Sequence, residues 1–120
     1  MIKVLKPDFS FVDERGSLTQ LVHEGYKQVN VIESKKDAFR GKHYHKVNEE
    51  AFYIISGSFK LEASKLGSDI IETYDFKTGD MFLVESYVVH SFYFLEDTTL
   101  VTMYSLGVEL PDGNKDIYES

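Results

Sequence analysis

The sequence contains no cysteine among its 120 residues. Disulfide bonds, thiolate metal sites and a cysteine nucleophile are therefore excluded. Any metal site in this chain must use nitrogen and oxygen ligands. Candidate imidazole ligands are few, because the chain has only four histidines.

Long apolar runs and an excess of basic residues are also missing. No stretch approaches the roughly 20 apolar residues of a membrane-spanning helix, and the first ten residues lack the apolar core of a signal peptide. We therefore expect a cytoplasmic protein with no membrane partner. The formal net charge of −7 argues against nucleic acid as a partner.

Length and composition predict a single domain over residues 1–120. Hydrophobic residues make up 42% of the chain and aromatic residues 14%, which is enough for a packed interior. A chain of this length has room for one hydrophobic core.

Short segments with strand propensity recur along the chain between turn signals such as those at 13–16 and 79–80. The segments are 9–12, 17–23, 28–33, 50–56, 58–63, 69–74, 81–95 and 98–106. No amphipathic helix is evident, and residues 116–119 add at most a terminal turn. The pattern predicts an all-β sandwich or closed antiparallel barrel, folds that protect their strand edges.

Two histidines stand two residues apart in the stretch RGKHYHKVNEEAFYIISG, residues 40–57. In an extended strand this spacing points His43 and His45 to the same face. Glu49 and Glu50 follow directly, before an apolar run with strand propensity. The stretch therefore offers half of a metal site, and His90 in segment 81–95 is a further candidate ligand.

Basic residues are concentrated around the same stretch. Five of the thirteen lie within twelve positions, namely Lys35, Lys36, Arg40, Lys42 and Lys46. The cluster is either a solvated loop or a seat for an anionic ligand such as a phosphate or diphosphate.

These stretches resemble the two motifs of the cupin superfamily. The first motif, G(x5)HxH(x3,4)E(x6)G, is matched by His43, His45, Glu50 and Gly57, with its first glycine displaced to Gly41. The second motif, G(x5)PxG(x2)H(x3)N, keeps Gly79 and His90. It has Glu85, Tyr87 and Phe94 in place of the proline, the second glycine and the asparagine. The resemblance implies an all-β, single-domain antiparallel β-barrel of the RmlC-like jelly-roll type.

The resemblance also implies a metal site formed by His43, His45, Glu50 and His90. Glu50 is preferred to Glu49 because its spacing fits the motif and because alternation sends Glu49 to the opposite face. Three imidazoles and a carboxylate suit a divalent ion such as zinc, iron, manganese, nickel or copper. A six-coordinate ion would keep open positions for water or substrate, as catalytic sites do.

A narrower resemblance points to sugar-nucleotide chemistry. DERGSL at 13–18 and RGKHYHK at 40–46 are similar to the dTDP-sugar 3,4-ketoisomerases and 3,5-epimerases, and the stretch 40–57 is also similar to the C-terminal cupin of capsular-polysaccharide reductase/epimerases. In the ketoisomerases the histidines imply acid/base chemistry without a metal, whereas the retained Glu50 favours a metal. Small cupins are commonly dimers, so the resemblance implies a homodimer.

The leading hypothesis is isomerisation or epimerisation of a nucleotide-linked 4-keto sugar in polysaccharide biosynthesis. His43 or His45 would act as the catalytic base, since a histidine titrates near neutral pH. Arg40, Lys42 and Tyr87 are the predicted substrate-binding residues. A metal or a second histidine would stabilise the enolate oxygen.

Two other functions fit the same residues. A metal-dependent oxygenase acting on a small organic acid would use the four ligands but not the basic cluster. A non-catalytic sugar- or metabolite-binding module would use the aromatic side chains around His90, namely Tyr87, Phe92 and Phe94, which are otherwise core residues.

Overall fold

The computed structural model describes residues Met1–Ser120 as twelve β-strands without a helix. The strands are β1 (Ile2–Leu5), β2 (Phe9–Asp13), β3 (Gly16–Gln20), β4 (Gln28–Ser34), β5 (Phe39–Tyr44), β6 (Glu50–Ser56), β7 (Ser58–Lys65), β8 (Glu72–Lys77), β9 (Met81–Val84), β10 (Val88–Phe94), β11 (Thr98–Tyr104) and β12 (Tyr118–Glu119). The expected all-β fold is confirmed. No element is a helix that could span a membrane.

The strands form two five-stranded antiparallel sheets that pack face to face, and one separate hairpin. The first sheet has the strand order β1-β9-β6-β11-β4, and the second has the order β12-β5-β10-β7-β8. Strands β2 and β3 pair only with each other. The antiparallel jelly-roll expectation is confirmed, and the two sheets stay separate rather than closing into one hydrogen-bonded barrel.

Four segments differ from the sequence-based prediction. The predicted segment 69–74 starts later in the structure, as β8, so residues 69–71 lie outside the strand. Strand β1 was not predicted, and segment 81–95 is divided into β9 and β10 by a turn in which Tyr87 has a φ of 63°. The predicted terminal turn at 116–119 is wrong, because Tyr118 and Glu119 form β12 and pair with Tyr44 and His43 of β5. Pairing with a distant strand, which no local pattern reports, decides the conformation of so short a segment.

The main core lies between the two sheets and is rich in phenylalanine. Phe52 stacks on Phe82 with ring centroids 4.8 Å apart, and Phe82 stacks on Phe76 at 4.2 Å. Phe59 and Phe92 complete the contact from the second sheet, at a centroid distance of 5.2 Å. A smaller buried cluster around Ala51, Met81, Leu83 and Met103 lies on the other face of the first sheet.

Strand β5 carries a β-bulge opposite β10. His90 pairs with His43, whereas the next residue, Ser91, pairs with Gly41, so Lys42 is the extra residue. Lys42 has a φ of 56° and Gly41 a φ of 157°. A Cβ atom on Gly41 would lie 2.5 Å from Cα of Ser91, so the close approach of the strands requires glycine there.

Candidate functional site

A cavity of about 500 Å³ opens between the two sheets beside the phenylalanine core. Its polar lining consists of Arg40, His43, His45, Glu50, His90 and Tyr104. The apolar lining includes Phe52 and Phe92, which also belong to the core. Polar groups that converge in one largely apolar cavity are typical of a small-molecule site.

Three of the predicted ligands form a buried cluster at this cavity. The ligand atoms of His45, Glu50 and His90 all lie within 4.8 Å of one another. Oε1 of Glu50 lies 3.1 Å from Nε2 of His45 and 3.5 Å from Nε2 of His90. Each side chain comes from a different segment: His45 follows β5, Glu50 begins β6, and His90 lies within β10.

In both His45 and His90, the ring nitrogen that does not face Glu50 is hydrogen-bonded to a backbone carbonyl. Nδ1 of His45 donates to the carbonyl oxygen of Asp116 at 2.6 Å, and Nδ1 of His90 donates to that of Val88 at 2.9 Å. A carbonyl oxygen only accepts, so each Nδ1 carries a proton. Both Nε2 atoms are thus directed at the Glu50 carboxylate, and this acceptor set fits a divalent cation.

In the absence of a cation, a proton lies between Nε2 of His45 and Oε1 of Glu50. Burial alone would lower the pKa of His45, but its hydrogen bond to Glu50 and the charge of that carboxylate raise it above the usual value. Burial also opposes ionisation of Glu50, yet the two histidines hold the pKa of Glu50 below its usual value. His45 and Glu50 therefore form a buried ion pair in the metal-free protein.

His43 lines the cavity but stands outside the three-residue cluster. It is partly buried and pairs with His90 across the two strands. Burial, followed by the electrostatic influence of the neighbouring His90 imidazole, lowers the pKa of His43 below 6.5. The imidazole is therefore neutral at pH 7 and able to accept a proton.

The three predicted substrate-binding residues separate in the structure. Arg40 lines the cavity, and its Nε donates to Oγ of Ser34 at 2.6 Å. Lys42 is the bulged residue and lines a different depression with Glu62 and Ser91. Tyr87 lies in the β9–β10 turn and is exposed away from the cavity. The bulge places Lys42, and the turn places Tyr87; neither feature was predicted from the sequence.

Two site residues were missed from the sequence. Tyr104 is buried in the lining, and its ring meets that of His45 edge to face at 5.3 Å. Burial and the Glu50 carboxylate raise the pKa of Tyr104, so its phenol stays protonated. Alternation from Leu100 along β11 could have predicted its inward direction. No local pattern marks Asp116, which reaches His45 from 71 residues away.

The family of the chain follows from its match to a known domain model. The model for the polysaccharide biosynthesis C-terminal domain matches residues 11–112, which include every residue of the cavity cluster. The chain belongs to the polysaccharide biosynthesis C-terminal domain family. No curated protein sequence matches it.

Solved structures share the fold of this polysaccharide biosynthesis C-terminal domain. The sugar 3,4-ketoisomerase QdtA from Thermoanaerobacterium thermosaccharolyticum, solved with TDP, has a TM-score of 0.79 and 19% identity, over 99% of this chain and 88% of QdtA. The TDP-quinovose 3,4-ketoisomerase WlaRB from Campylobacter jejuni has a TM-score of 0.77 and 20% identity, over 96% and 92% of the two chains.

A third similar structure is an epimerase. The dTDP-4-dehydrorhamnose 3,5-epimerase from Sulfolobus tokodaii has a TM-score of 0.77 and 19% identity, over 93% of this chain and 74% of the epimerase. At these identities the likeness establishes the fold. The jelly-roll fold that the resemblance implied is thereby confirmed.

Proposed function

We propose that this protein isomerises or epimerises a nucleotide-linked 4-keto sugar by proton transfer at the cavity. The observation that carries the proposal is that His43 is neutral and lines the cavity. The same cavity holds Arg40 and the buried cluster of His45, Glu50 and His90. The activities of QdtA, WlaRB and the Sulfolobus tokodaii epimerase support the same chemistry.

The reaction needs one base and one proton donor. A ketone makes the neighbouring C–H acidic, and His43 removes that proton while the electron pair moves into the carbonyl to form an enolate. Return of a proton to the opposite face of the same carbon gives the epimer. Return of a proton to the former carbonyl carbon gives the isomeric ketone, provided that the hydroxyl on the deprotonated carbon passes its proton to the former carbonyl oxygen. Tyr104 stays protonated and can donate a hydrogen bond to the enolate oxygen. Because His45 is engaged with Glu50 and Asp116, we assign the base to His43.

A divalent metal ion completes the proposal. His45, Glu50 and His90 would hold it through their converging nitrogen and oxygen atoms, and His43 would remain free. When bound, the ion supplies positive charge that stabilises an adjacent enolate oxygen. Zinc, iron, manganese and nickel all suit this ligand set.

Arg40 is the proposed anchor for the diphosphate. Its guanidinium group lies at the cavity and can form two hydrogen bonds with one phosphate group. The bond from its Nε to Ser34 fixes the direction of the side chain. A nucleotide diphosphate bound there would place its sugar toward the histidines.

We also propose that the protein is a homodimer. The β2–β3 hairpin exposes the apolar side chains of Phe9, Phe11, Val12 and Leu18. An isolated two-stranded hairpin is only marginally stable in water, so these side chains need a covering surface. Strand β4 is the edge of the first sheet and exposes Val29 and Val31. A second copy of the chain supplies an apolar surface of matching chemistry.

Deuterium incorporation tests the catalytic proposal directly. The protein is incubated in D₂O with TDP-4-keto-6-deoxyglucose, which is bound in one of the QdtA structures, and with UDP-linked 4-keto sugars. Wild-type protein should introduce deuterium next to the ketone, and His43→Asn should not. The absence of uptake with every sugar, with and without Zn²⁺, Fe²⁺ or Mn²⁺, would sink the proposal.

The same experiment separates the two remaining functions. Oxygen consumption by the iron-loaded protein with a small organic acid would indicate an oxygenase. A ligand-induced rise in melting temperature without turnover or deuterium uptake would indicate a binding module.

A further inference from the structure

Asp116 is a buried carboxylate that holds the loop between His45 and Glu50. The residue is 1% exposed. Its Oδ1 accepts the backbone N–H of Lys46 at 2.8 Å, and its Oδ2 accepts those of Val47 at 3.1 Å and Asn48 at 2.9 Å. The side-chain amide of Asn48 donates to Oδ2 as well, at 2.9 Å. Four donors thus fix the chain directly after His45.

The same residue also holds the imidazole ring itself. The carbonyl oxygen of Asp116 accepts the Nδ1 proton of His45 at 2.6 Å. The side chain of Asp116 therefore fixes the backbone that carries His45, while its main chain fixes the ring. Both contacts are buried, so water does not compete for them.

Asp116 is in turn anchored to the segment that follows β11. Its backbone N–H donates to the carbonyl oxygen of Val108 at 2.8 Å. Asn48 is fully buried, and its Oδ1 accepts the backbone N–H groups of Leu106 at 2.8 Å and Gly107 at 2.9 Å. The segment that contains Asp116 and the loop between His45 and Glu50 therefore form one hydrogen-bonded unit. A displacement of Asp116 would move His45.

We propose that Asp116 is a positioning residue that keeps His45 protonated at Nδ1, with Nε2 directed at Glu50 and His90, and so sets the affinity of the cluster for a divalent cation. This inference rests on the proposed metal site. A residue that served only to stabilise the loop would leave the exchange of the His45 Nδ1 proton and the metal affinity of a folded variant unchanged.

Two aspartates of the same segment provide a matched pair of variants. Asp112 is exposed, and its carboxylate accepts hydrogen bonds only from Asn114. Asp116→Ala keeps the backbone carbonyl but loses the carboxylate that fixes the loop, so that carbonyl and the His45 ring should shift apart. Zn²⁺ binding should weaken by about 10- to 100-fold, as when the outer partner of a ligand is disturbed. Asp112→Ala should bind Zn²⁺ like wild type. The measurement is competition for Zn²⁺ with a chromophoric chelator.

Imidazole ¹⁵N NMR of the metal-free proteins gives a second readout. In wild type, the Nδ1 protons of His45 and His90 should both exchange slowly with solvent. In Asp116→Ala the His45 proton should exchange rapidly, and the His90 proton, held by Val88, should not change. If Asp116→Ala does not fold, Asp116→Asn, which keeps the shape and one acceptor oxygen, should show a smaller change in the same direction.

The outcomes for the metal site and for Asp116 can be told apart. If wild type binds no divalent ion, the proposed metal site fails, and the NMR readout alone decides the role of Asp116. If wild type binds Zn²⁺ and the folded Asp116 variant matches Asp112→Ala in affinity and in His45 exchange, the inference about Asp116 is wrong while the metal site stands.

Discussion

Nε2 of His45 lies 3.1 Å from Oε1 of Glu50, and neither side chain has appreciable contact with solvent. Two ionisable groups this close in a buried site must share a proton or a cation. The pair therefore links the stability of the protein to pH and its metal affinity to the ionisation of both groups.

The pH dependence of stability follows from the two pKa shifts. The pKa of Glu50 in the folded protein is lowered from 4.5. The ionised Glu50 side chain therefore stabilises the folded state above pH 4.5, and this stabilisation is lost as the pH falls through the lowered pKa. The pKa of His45 in the folded protein is raised from 6.5. The protonated His45 side chain therefore stabilises the folded state below pH 6.5, and this stabilisation is lost as the pH rises through the raised pKa. The contribution of the pair should be largest between these limits. Thermal denaturation of chelator-treated protein measures it, and a profile for Glu50→Gln identical to that of wild type would contradict the assignment.

Adjacent glutamates offer a test of the proposed metal ligand. Glu50 faces the cavity, whereas the backbone N–H of Glu49 donates to Ser105 and its side chain is not part of the cluster. Glu50→Gln should weaken Zn²⁺ binding by more than about 100-fold, beyond the effect of losing an outer partner. Glu49→Gln should bind normally in the same titration. Equal affinities for the two variants would exclude Glu50 as a ligand.

Neighbouring basic residues test the proposed diphosphate site. Arg40 lines the cavity, whereas Lys42 is directed to another surface by the bulge. Arg40→Ala should weaken TDP binding by about 10- to 100-fold, since hydrogen bonds to a charged group contribute about 1.5 to 3 kcal/mol. Lys42→Ala should have little effect in the same calorimetric titration. A large loss for both variants would favour the prediction made from sequence, which included both residues, and a large loss only for Lys42→Ala would contradict the assignment of Arg40.

The exposed hairpin makes the dimer testable. Wild-type protein should elute with twice the mass of the chain in size-exclusion chromatography with light scattering. Phe11→Glu should shift it to a monomer, because a charge cannot be buried in an apolar interface without a partner. Ile70→Glu is the control, since Ile70 is also exposed but lies outside the hairpin. A monomeric wild type at all concentrations would overturn the proposal.

Much of the fold follows from local sequence. Strand propensity and turn signals predicted β6 and β11, and the spacing of His43 and His45 predicted one shared face, because the period of two is a property of the strand backbone itself. That His90 joins His45 and Glu50 was expected only from the resemblance to the cupin motifs.

The remaining features depend on contacts that local periodicity does not contain. Strict alternation would place Arg40 on the face opposite to His43, and only the bulge at Lys42 brings both to the cavity. The bulge exists because Ser91 approaches Gly41 closely, and Ser91 lies fifty residues away in the chain. Asp116 and β12 likewise become part of the site only through pairing with β5 and its loop.

The bond between His45 and Asp116 has a consequence for folding. It joins residues that are 71 positions apart, and closing so long a loop costs chain entropy before any contact is gained. The ring of His45 therefore acquires its final direction only when the last dozen residues have docked. A partly folded chain already has the histidines and the glutamate, but it cannot yet present them as one set of ligands.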